Sequence, residues 1–474
     1  MAIKFGTDGW RGVVGDDFTY ENVRLAAAGI ARSLSSGTVV VGYDRRFASE
    51  LFAEEVARVL AGNGLQALLF DRATPTQVAC WTVVDRRAAG AVIVTASHNP
   101  YIFNGLKFRP ETGSSAPAEL IGRLEEAIAA VADGASGVQR AEPGDERIQR
   151  LDPRPSYFQQ MGRMVDLEAI RRYGLSLVHE AMHGSGAGYV AELVGGGPTR
   201  VTELHAERNP WFGGVNPEPI PANLREALGL MGAGGHDLAI CTDGDADRVG
   251  VIDERGHFVN QLQVFALLIR YLVEIRGLRA PIVKSINMTF MADRLAERYG
   301  LAVHEVPIGF KSIAPRMMAV DALLGGEESG GFAFQGHIPE RDGLLAGLFF
   351  ADYVARTGKR LSELLQELAE LVGPSAYARH DHHLPRDRYA EERRRILGLL
   401  AERSPQEVAG VPVAATRADD GYKFTLTDGS WVLLRASGTE PLIRVYSEAA
   451  TADEVAARLA ALEEMVGLEQ RVAA

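Results

Sequence analysis

The sequence predicts an α/β protein of several domains, and three observations carry that expectation. Short β-branched runs alternate with amphipathic stretches, the pattern of a mainly parallel sheet with helices on its faces. After a polar interval bearing glycine and proline the alternation restarts, and later it restarts again. At 474 residues, the chain also exceeds what one hydrophobic core supports.

In the first unit Thr38 to Gly42 reads as a strand, Glu50 to Leu60 as a helix, Gln66 to Phe70 as a strand and Thr74 to Val84 as a helix. The apolar run Ala91-Val92-Ile93-Val94 is a further buried strand. It leads into Thr95-Ala96-Ser97-His98-Asn99-Pro100, whose Asn-Pro pair favours a turn, so Ser97 stands at a strand's carboxyl end, where open α/β sheets place ligands. Phe5 to Gly12 reads as a glycine-punctuated loop whose N–H groups and Arg11 suit an anion. Tyr43-Asp44-Arg45-Arg46 reads as a solvated turn, Ala118 to Val131 as a periodic helix, and Ala132 to Pro155 as a linker.

The second unit runs from strand Leu175 to Val178 through strand Val201 to Leu204 and helix Leu224 to Met231 to strand Asp237 to Thr242. Its Gly184-Ser185-Gly186-Ala187-Gly188 turn lacks the acidic partner of a dinucleotide site and reads as tight helix–strand packing. The third unit comprises helix Gln261 to Ile275, strands Pro281 to Ile286 and Leu301 to Val306, and helix Gly343 to Ala355. From Pro374 the order changes to helix Tyr389 to Leu400, a β-rich Tyr422 to Ser447 and a last helix Ala452 to Met465, which suggests a smaller α+β domain.

The net charge of −12 argues against a nucleic-acid partner, so any anion site must be built locally. Cys80 and Cys241 lie in apolar segments and read as reduced core thiols. The opening lacks a signal-peptide pattern and no apolar stretch reaches membrane-span length, so a cytoplasmic protein without a membrane partner is expected.

Three further loops carry chemistry. Thr242-Asp243-Gly244-Asp245-Ala246-Asp247-Arg248 sets three carboxylates at alternate positions after a strand, a hard-oxygen set suited to Mg²⁺. A calcium EF-hand shares the acidic spacing through Glu254, but Arg248 occupies its glycine position and the flanks read as strands. In Gly326-Glu327-Glu328-Ser329-Gly330, Glu327 offers paired acceptors for neighbouring sugar hydroxyls and Ser329 a further hydrogen bond. Arg435-Ala436-Ser437-Gly438-Thr439-Glu440-Pro441, with Arg444, interleaves guanidiniums and hydroxyls as a phosphate cradle. A Ser-His hydrolase reading of Ser97 and His98 fails, since neighbours at a strand end point apart and no G-x-S-x-G elbow occurs. His98 reads as an orienting or proton-transfer group, and Lys107 as general base or phosphate clamp.

In order along the chain, these loops resemble those of the α-D-phosphohexomutase superfamily over nearly the whole length: Thr95 to Pro100 its phosphoserine loop, Asp243 to Arg248 its metal loop, Gly326 to Gly330 its sugar loop and Arg435 to Pro441 its phosphate loop. The resemblance implies three mixed α/β domains, 1–140, 155–256 and 257–370, and an α+β domain, 374–474, around one central cleft. It implies transfer of a phosphoryl group between O1 and O6 of a hexose, through phosphorylated Ser97 and a 1,6-bisphosphate. Mg²⁺ would sit on Ser97, Asp243, Asp245 and Asp247, with glucose or mannose 1,6-bisphosphate as activator. Arg248, Lys107 and Arg11 would neutralise charge and His98 would assist. Thr7, Lys311, Glu327 and Ser329 would contact substrate, and Arg435, Ser437, Gly438, Thr439 and Arg444 would hold its distal phosphate. Relatives that accept mannose phosphates often carry His where Gly331 stands, and the opening loop is similar to that of phosphoglucosamine mutases. A phosphoglucomutase/phosphomannomutase is therefore expected, as monomer or homodimer acting on small sugar phosphates, with phosphoglucosamine mutase as the alternative. A non-catalytic sugar-phosphate or calcium-binding protein is the reading from another class.

Overall fold

A computed structural model describes residues 3–6, 8–34, 36–134, 138–437 and 440–468; Thr7, Gly438 and Thr439 lie outside the described residues. Four sheets follow one another along the chain. The first contains β1 (Trp10–Val13), β2 (Thr38–Tyr43), β3 (Gln66–Phe70), β4 (Gly90–Val94), β5 (Phe103–Pro110) and β6 (Ile148–Leu151), in the order β1-β5-β4-β2-β3-β6. The second contains β7 (Ser176–Glu180), β8 (Arg200–Leu204), β9 (Leu238–Thr242), β10 (Val249–Ile252) and β11 (Phe258–Val259), ordered β11-β10-β9-β7-β8. In the third, β12 (Ile282–Ser285), β13 (Val303–Val306), β14 (Leu324–Glu327) and β15 (Gly331–Phe334) are ordered β13-β12-β14-β15.

These three sheets share one plan. Three parallel strands stand in the order third, first, second, and an antiparallel strand pairs with the third: β5 on β4, β10 on β9, β15 on β14. The turn into that antiparallel strand is, in turn, the serine loop, the acidic loop and the Glu327 loop. The fully buried parallel strands explain why these segments read as continuous apolar runs rather than alternating ones.

The fourth sheet is antiparallel throughout. It comprises β16 (Ala376–His383), β17 (Glu407–Val408), β18 (Val411–Arg417), β19 (Tyr422–Leu426), β20 (Trp431–Ala436) and β21 (Leu442–Ala449), ordered β16-β21-β20-β19-β18-β17. Helices Arg386–Glu402 and Ala452–Val466 belong to this domain, and Thr451 and Glu454 cap the latter reciprocally.

Two segments differ from the sequence reading. The opening loop contributes β1, an edge strand on β5, and the linker contributes β6, which pairs parallel with β3. Both are four residues long; β6 is only half-buried at Ile148 and Leu151, too little apolar pattern to register as a strand. The helix from Gln261 is α-helical to Arg270 and closes with a π turn, Tyr271–Ile275.

The second and third domains share one apolar core. Helix Gly343–Thr357 follows the third sheet in sequence yet packs on β9 and β10 of the second, with Gly347 so close that a Cβ there would lie 2.4 Å from Ile240 Cγ2. Among the described residues, no helix is long and apolar enough to cross a membrane. Cys80 and Cys241 are free and buried.

Candidate functional site

Ser97 is fully buried in the turn from β4 to β5 and adopts left-handed backbone geometry, φ 50°, costly for a side chain with a Cβ. The Arg46 guanidinium holds that geometry by donating to four loop carbonyls: Ser97 and Asn99 at 2.6 Å, Pro100 and Phe103 at 3.0 Å. Asp44 pairs with Arg46 at 3.2 Å and accepts from Thr95 Oγ1 at 2.6 Å, and Thr95 Oγ1 in turn accepts from Ser97 N at 2.9 Å. The Tyr43–Arg46 loop is thus not a solvated turn. Asp44 and Arg46 are buried because their partners are backbone and side-chain groups of the serine loop, which no local pattern reveals.

Ser97 Oγ donates to Asp243 Oδ2 at 2.9 Å, joining the serine loop to the acidic loop of the second sheet. Gly244 permits the approach, since a Cβ there would meet the Ser97 carbonyl oxygen at 2.5 Å. The Gly184–Gly188 turn packs beneath the same loop: Ser185 N donates to the Gly244 carbonyl at 3.0 Å, and a Cβ on Gly184 would lie 2.8 Å from the Asp243 carbonyl oxygen. His98 Nδ1 lies 3.3 Å from Ser97 Oγ. Their side chains were expected to diverge; the left-handed turn at Ser97 brings them together instead.

Asp243, Asp245 and Asp247 are fully buried, with carboxylate oxygens within 4.8 Å of one another. Lys107 Nζ donates to Asp245 Oδ2 at 2.8 Å and Asp247 Oδ2 at 3.0 Å and lies 2.9 Å from Asp8 Oδ2. Thr76 Oγ1 also donates to Asp245 Oδ2, at 2.6 Å. The Oδ1 atoms of Asp245 and Asp247 are buried without hydrogen-bond partners. Burial, with the charges of Asp245 and Asp247, pushes the Asp243 carboxyl well above its usual range. Burial opposes ionisation of Asp245 too, but Lys107 outweighs it and holds that carboxyl low. Close carboxylates with orphaned oxygens fit a hard divalent cation such as Mg²⁺.

Arg341, absent from the sequence reading, joins three domains. Its guanidinium reaches Asp8 at 2.9 Å, Asp247 at 3.1 Å, Glu340 at 3.1 Å and Glu327 at 3.3 Å. Asp8, which also pairs with Arg109 at 2.7 Å, is held well below the carboxylate range: burial opposes this, and Arg341, Lys107 and Arg109 outweigh it. Arg248 reaches Glu218 at 3.4 Å, and Arg11 bonds Asn99 of the serine loop. Burial, together with Arg248 and Arg11, pulls His98 well below its ordinary value, leaving a neutral ring.

Glu327 accepts from Ser329 Oγ at 2.8 Å, and burial raises its carboxyl against the pull of Arg341. Glu328 turns away to the fourth domain, accepting from Tyr377 OH at 2.8 Å and pairing with Arg379 at 3.2 Å. Lys311 is exposed on the first turn of helix Phe310–Val320. Arg435 and Arg444 face each other across β20 and β21, Arg435 bonded to Asp420 at 2.9 Å and Arg444 3.6 Å from Asp381. Ser437 Oγ accepts from Glu440 N at 3.1 Å. Three loops therefore converge, while the arginines of the fourth lie on a separate sheet docked against the third domain.

Comparisons with known proteins follow the same divisions. Residues 2–134, 155–256 and 260–372 match the family descriptions phosphoglucomutase/phosphomannomutase, alpha/beta/alpha domains I, II and III, and 397–465 matches the C-terminal domain. A phosphoglucomutase/phosphomannomutase of Thermococcus kodakarensis is 30% identical over 459 residues, 95% of each chain. A phosphoglucosamine mutase of Cereibacter sphaeroides is 31% identical, covering 94% of each. A solved structure from Thermus thermophilus, which carries the provisional name phosphomannomutase, superposes with a TM-score of 0.85 at 35% identity, covering 98% of this chain and 99% of that one. The chain belongs to the α-D-phosphohexomutase superfamily, a family of isomerases. Its relatives divide between glucose/mannose and glucosamine names, so the family leaves the sugar open.

Proposed function

We propose that this chain interconverts hexose 1-phosphates and hexose 6-phosphates, glucose or mannose being the sugar, with Ser97 carrying the phosphoryl group. The observation that supports this most is Ser97 Oγ, 2.9 Å from one of three buried carboxylates whose neighbours keep orphaned oxygens. Asp243, Asp245 and Asp247 would hold Mg²⁺, which when bound neutralises charge on the phosphoryl oxygens.

From phosphorylated Ser97, the Oγ–P bond breaks as the free hydroxyl of the bound sugar monophosphate forms a new O–P bond. The hydroxyl proton passes to an acceptor beside Ser97 and from there to the departing Ser97 Oγ, which becomes a hydroxyl again. Lys107 is unsuited to that role, because the charges of Asp245, Asp247 and Asp8 outweigh burial and hold its ammonium protonated; it serves as a fixed cation. Neutral His98, 3.3 Å from Ser97 Oγ, is the acceptor this geometry favours. The resulting 1,6-bisphosphate turns over and returns its other phosphoryl group to Ser97 Oγ. Glu327 and Ser329 would hold ring hydroxyls in either orientation, and Arg435, Ser437 and Arg444 the phosphate that is not reacting. Transfer of this kind depends on positioning and charge neutralisation more than on covalent assistance.

The resemblance to phosphoglucosamine mutases keeps a second sugar in view. Phosphorus NMR with Mg²⁺, a trace of glucose 1,6-bisphosphate and, in parallel, glucose, mannose and glucosamine 1-phosphates tests both. Conversion to a 6-phosphate is expected, and the fastest substrate names the sugar. Ser97→Ala is expected to fold and to lose turnover; full activity in that variant would refute the phosphoserine route.

A further inference from the structure

β16 is an edge strand, and its two faces meet different neighbours. Tyr377, Arg379 and Asp381 face the Glu327 loop and the phosphate-loop arginine, through Glu328 and Arg444. On the other face, toward helix Ala452–Val466, His380 and His382 converge on Glu463. His380 Nδ1 lies 2.7 Å and His382 Nε2 2.8 Å from the same oxygen, Glu463 Oε1. Glu463 is only 2% exposed, and its other oxygen, Oε2, is buried with no hydrogen-bond partner.

A buried carboxylate with one oxygen shared by two imidazoles and the other unsatisfied calls for an explanation. Among the described residues, two groups of three His, Cys, Asp or Glu side chains bring ligand atoms within 4.8 Å: the aspartate trio and this one. Their chemistries differ. The trio offers only hard oxygens, whereas two imidazoles and one carboxylate suit a borderline transition metal. Ligand distances of about 2.0–2.2 Å to tetrahedral Zn²⁺ set neighbouring donor atoms roughly 3.3 Å apart. Each histidine nitrogen would need to move by only about half an ångström from Glu463 Oε1 to reach that. Position two residues apart on a strand puts both histidines on one face, and the helix supplies the third donor from a distant part of the sequence. His380, whose side chain is 38% exposed, leaves a fourth position accessible to water.

We propose that His380, His382 and Glu463 form a transition-metal site, Zn²⁺ foremost, that staples the last helix to the edge strand of the fourth domain. The site is separate from the aspartate trio and lies on the reverse of the strand that contacts Glu328 and Arg444. Zinc bound there fixes the edge strand whose other face borders the Glu327 loop.

The test uses the full chain, stripped with chelator and supplied with excess Mg²⁺, which saturates the oxygen trio and competes poorly for imidazoles. Titration calorimetry with Zn²⁺ is expected to show one equivalent bound, with a rise in melting temperature. Co²⁺ in its place is expected to give the intense visible bands of a tetrahedral nitrogen-ligated ion rather than the weak bands of an octahedral oxygen site. His380→Ala, at a partly exposed position, and Glu463→Gln, which keeps side-chain shape, should each lose the zinc equivalent and the melting shift while Mg²⁺-supported turnover persists. Asp243→Asn should retain the zinc equivalent. Absence of zinc uptake by the unaltered chain under excess Mg²⁺, or equal uptake by His380→Ala and Glu463→Gln, overturns the proposal.

Discussion

Replacing Arg46 with methionine tests how the serine loop is held. Arg46 is buried and gives four hydrogen bonds to carbonyls of Ser97, Asn99, Pro100 and Phe103, while facing Asp44. Bonds from a charged donor are worth about 1.5–3 kcal/mol each, so simple addition would give roughly 6–12 kcal/mol. Shared partners and entering water reduce that, and loss of one member of a buried ion pair costs about 3–5 kcal/mol. At 1.4 kcal/mol per factor of ten, local opening becomes easier by roughly two to three and a half powers of ten. Amide hydrogen exchange at Thr95 and Asn99, whose N–H groups bond Gly105 and Ala96 carbonyls, reads this opening directly. Turnover should fall by about a hundredfold, the scale of an ångström's misplacement of a reacting group. Wild-type exchange at both amides together with wild-type turnover would refute the role assigned to Arg46.

Asp8→Asn removes a carboxylate shared by Lys107, Arg109 and Arg341 and should destabilise the chain by about 3–5 kcal/mol at neutral pH. Because the folded state depresses the Asp8 pKa, its stabilisation is complete above the unfolded value of about 3.9 and is lost only as pH falls through the lower folded value. Melting temperatures of the two proteins should therefore differ by the same amount from pH 7 to about pH 5 and converge only in stronger acid; convergence already by pH 5 would contradict this. Gly331→Ala would place a Cβ 2.3 Å from Arg341 Cδ, inside the buried network that reaches Glu327. Thermal melting should show an overpacking cost of about 1–3 kcal/mol, with reduced turnover, and an unchanged melt would show that Arg341 yields freely.

Much of the fold was legible because buried parallel strands write themselves as apolar runs, and Gln66–Phe70 is the strand its pattern predicts. The clustering of the acidic loop was legible as well, since alternate carboxylates on one short loop after a strand can converge on one point, as Asp243, Asp245 and Asp247 do. Short edge strands such as β6 were not, having few apolar residues. Nor were Arg46 and Arg341, for a physical reason: each is buried by partners distant in sequence, and 333 residues separate Arg341 from Asp8. A lone arginine in the sequence carries no mark of the carbonyls or carboxylates it will meet. The left-handed turn at Ser97 was equally hidden, because it is imposed by Arg46 and Asp44 rather than favoured by serine itself.

The common plan of the first three sheets bears on how such a protein is inherited and altered. A strand order repeated three times supplies one scaffold in triplicate, and the same hairpin turn bears a hydroxyl in one copy, carboxylates in another and a glutamate bonded to a serine in the last. Chemistry is thereby confined to a handful of positions per copy, leaving strand registers and helix faces untouched. New specificity can then arise by rewriting a single turn, and the most economical place to look for divergence among members is Glu327 to Gly331 rather than the sheets beneath it.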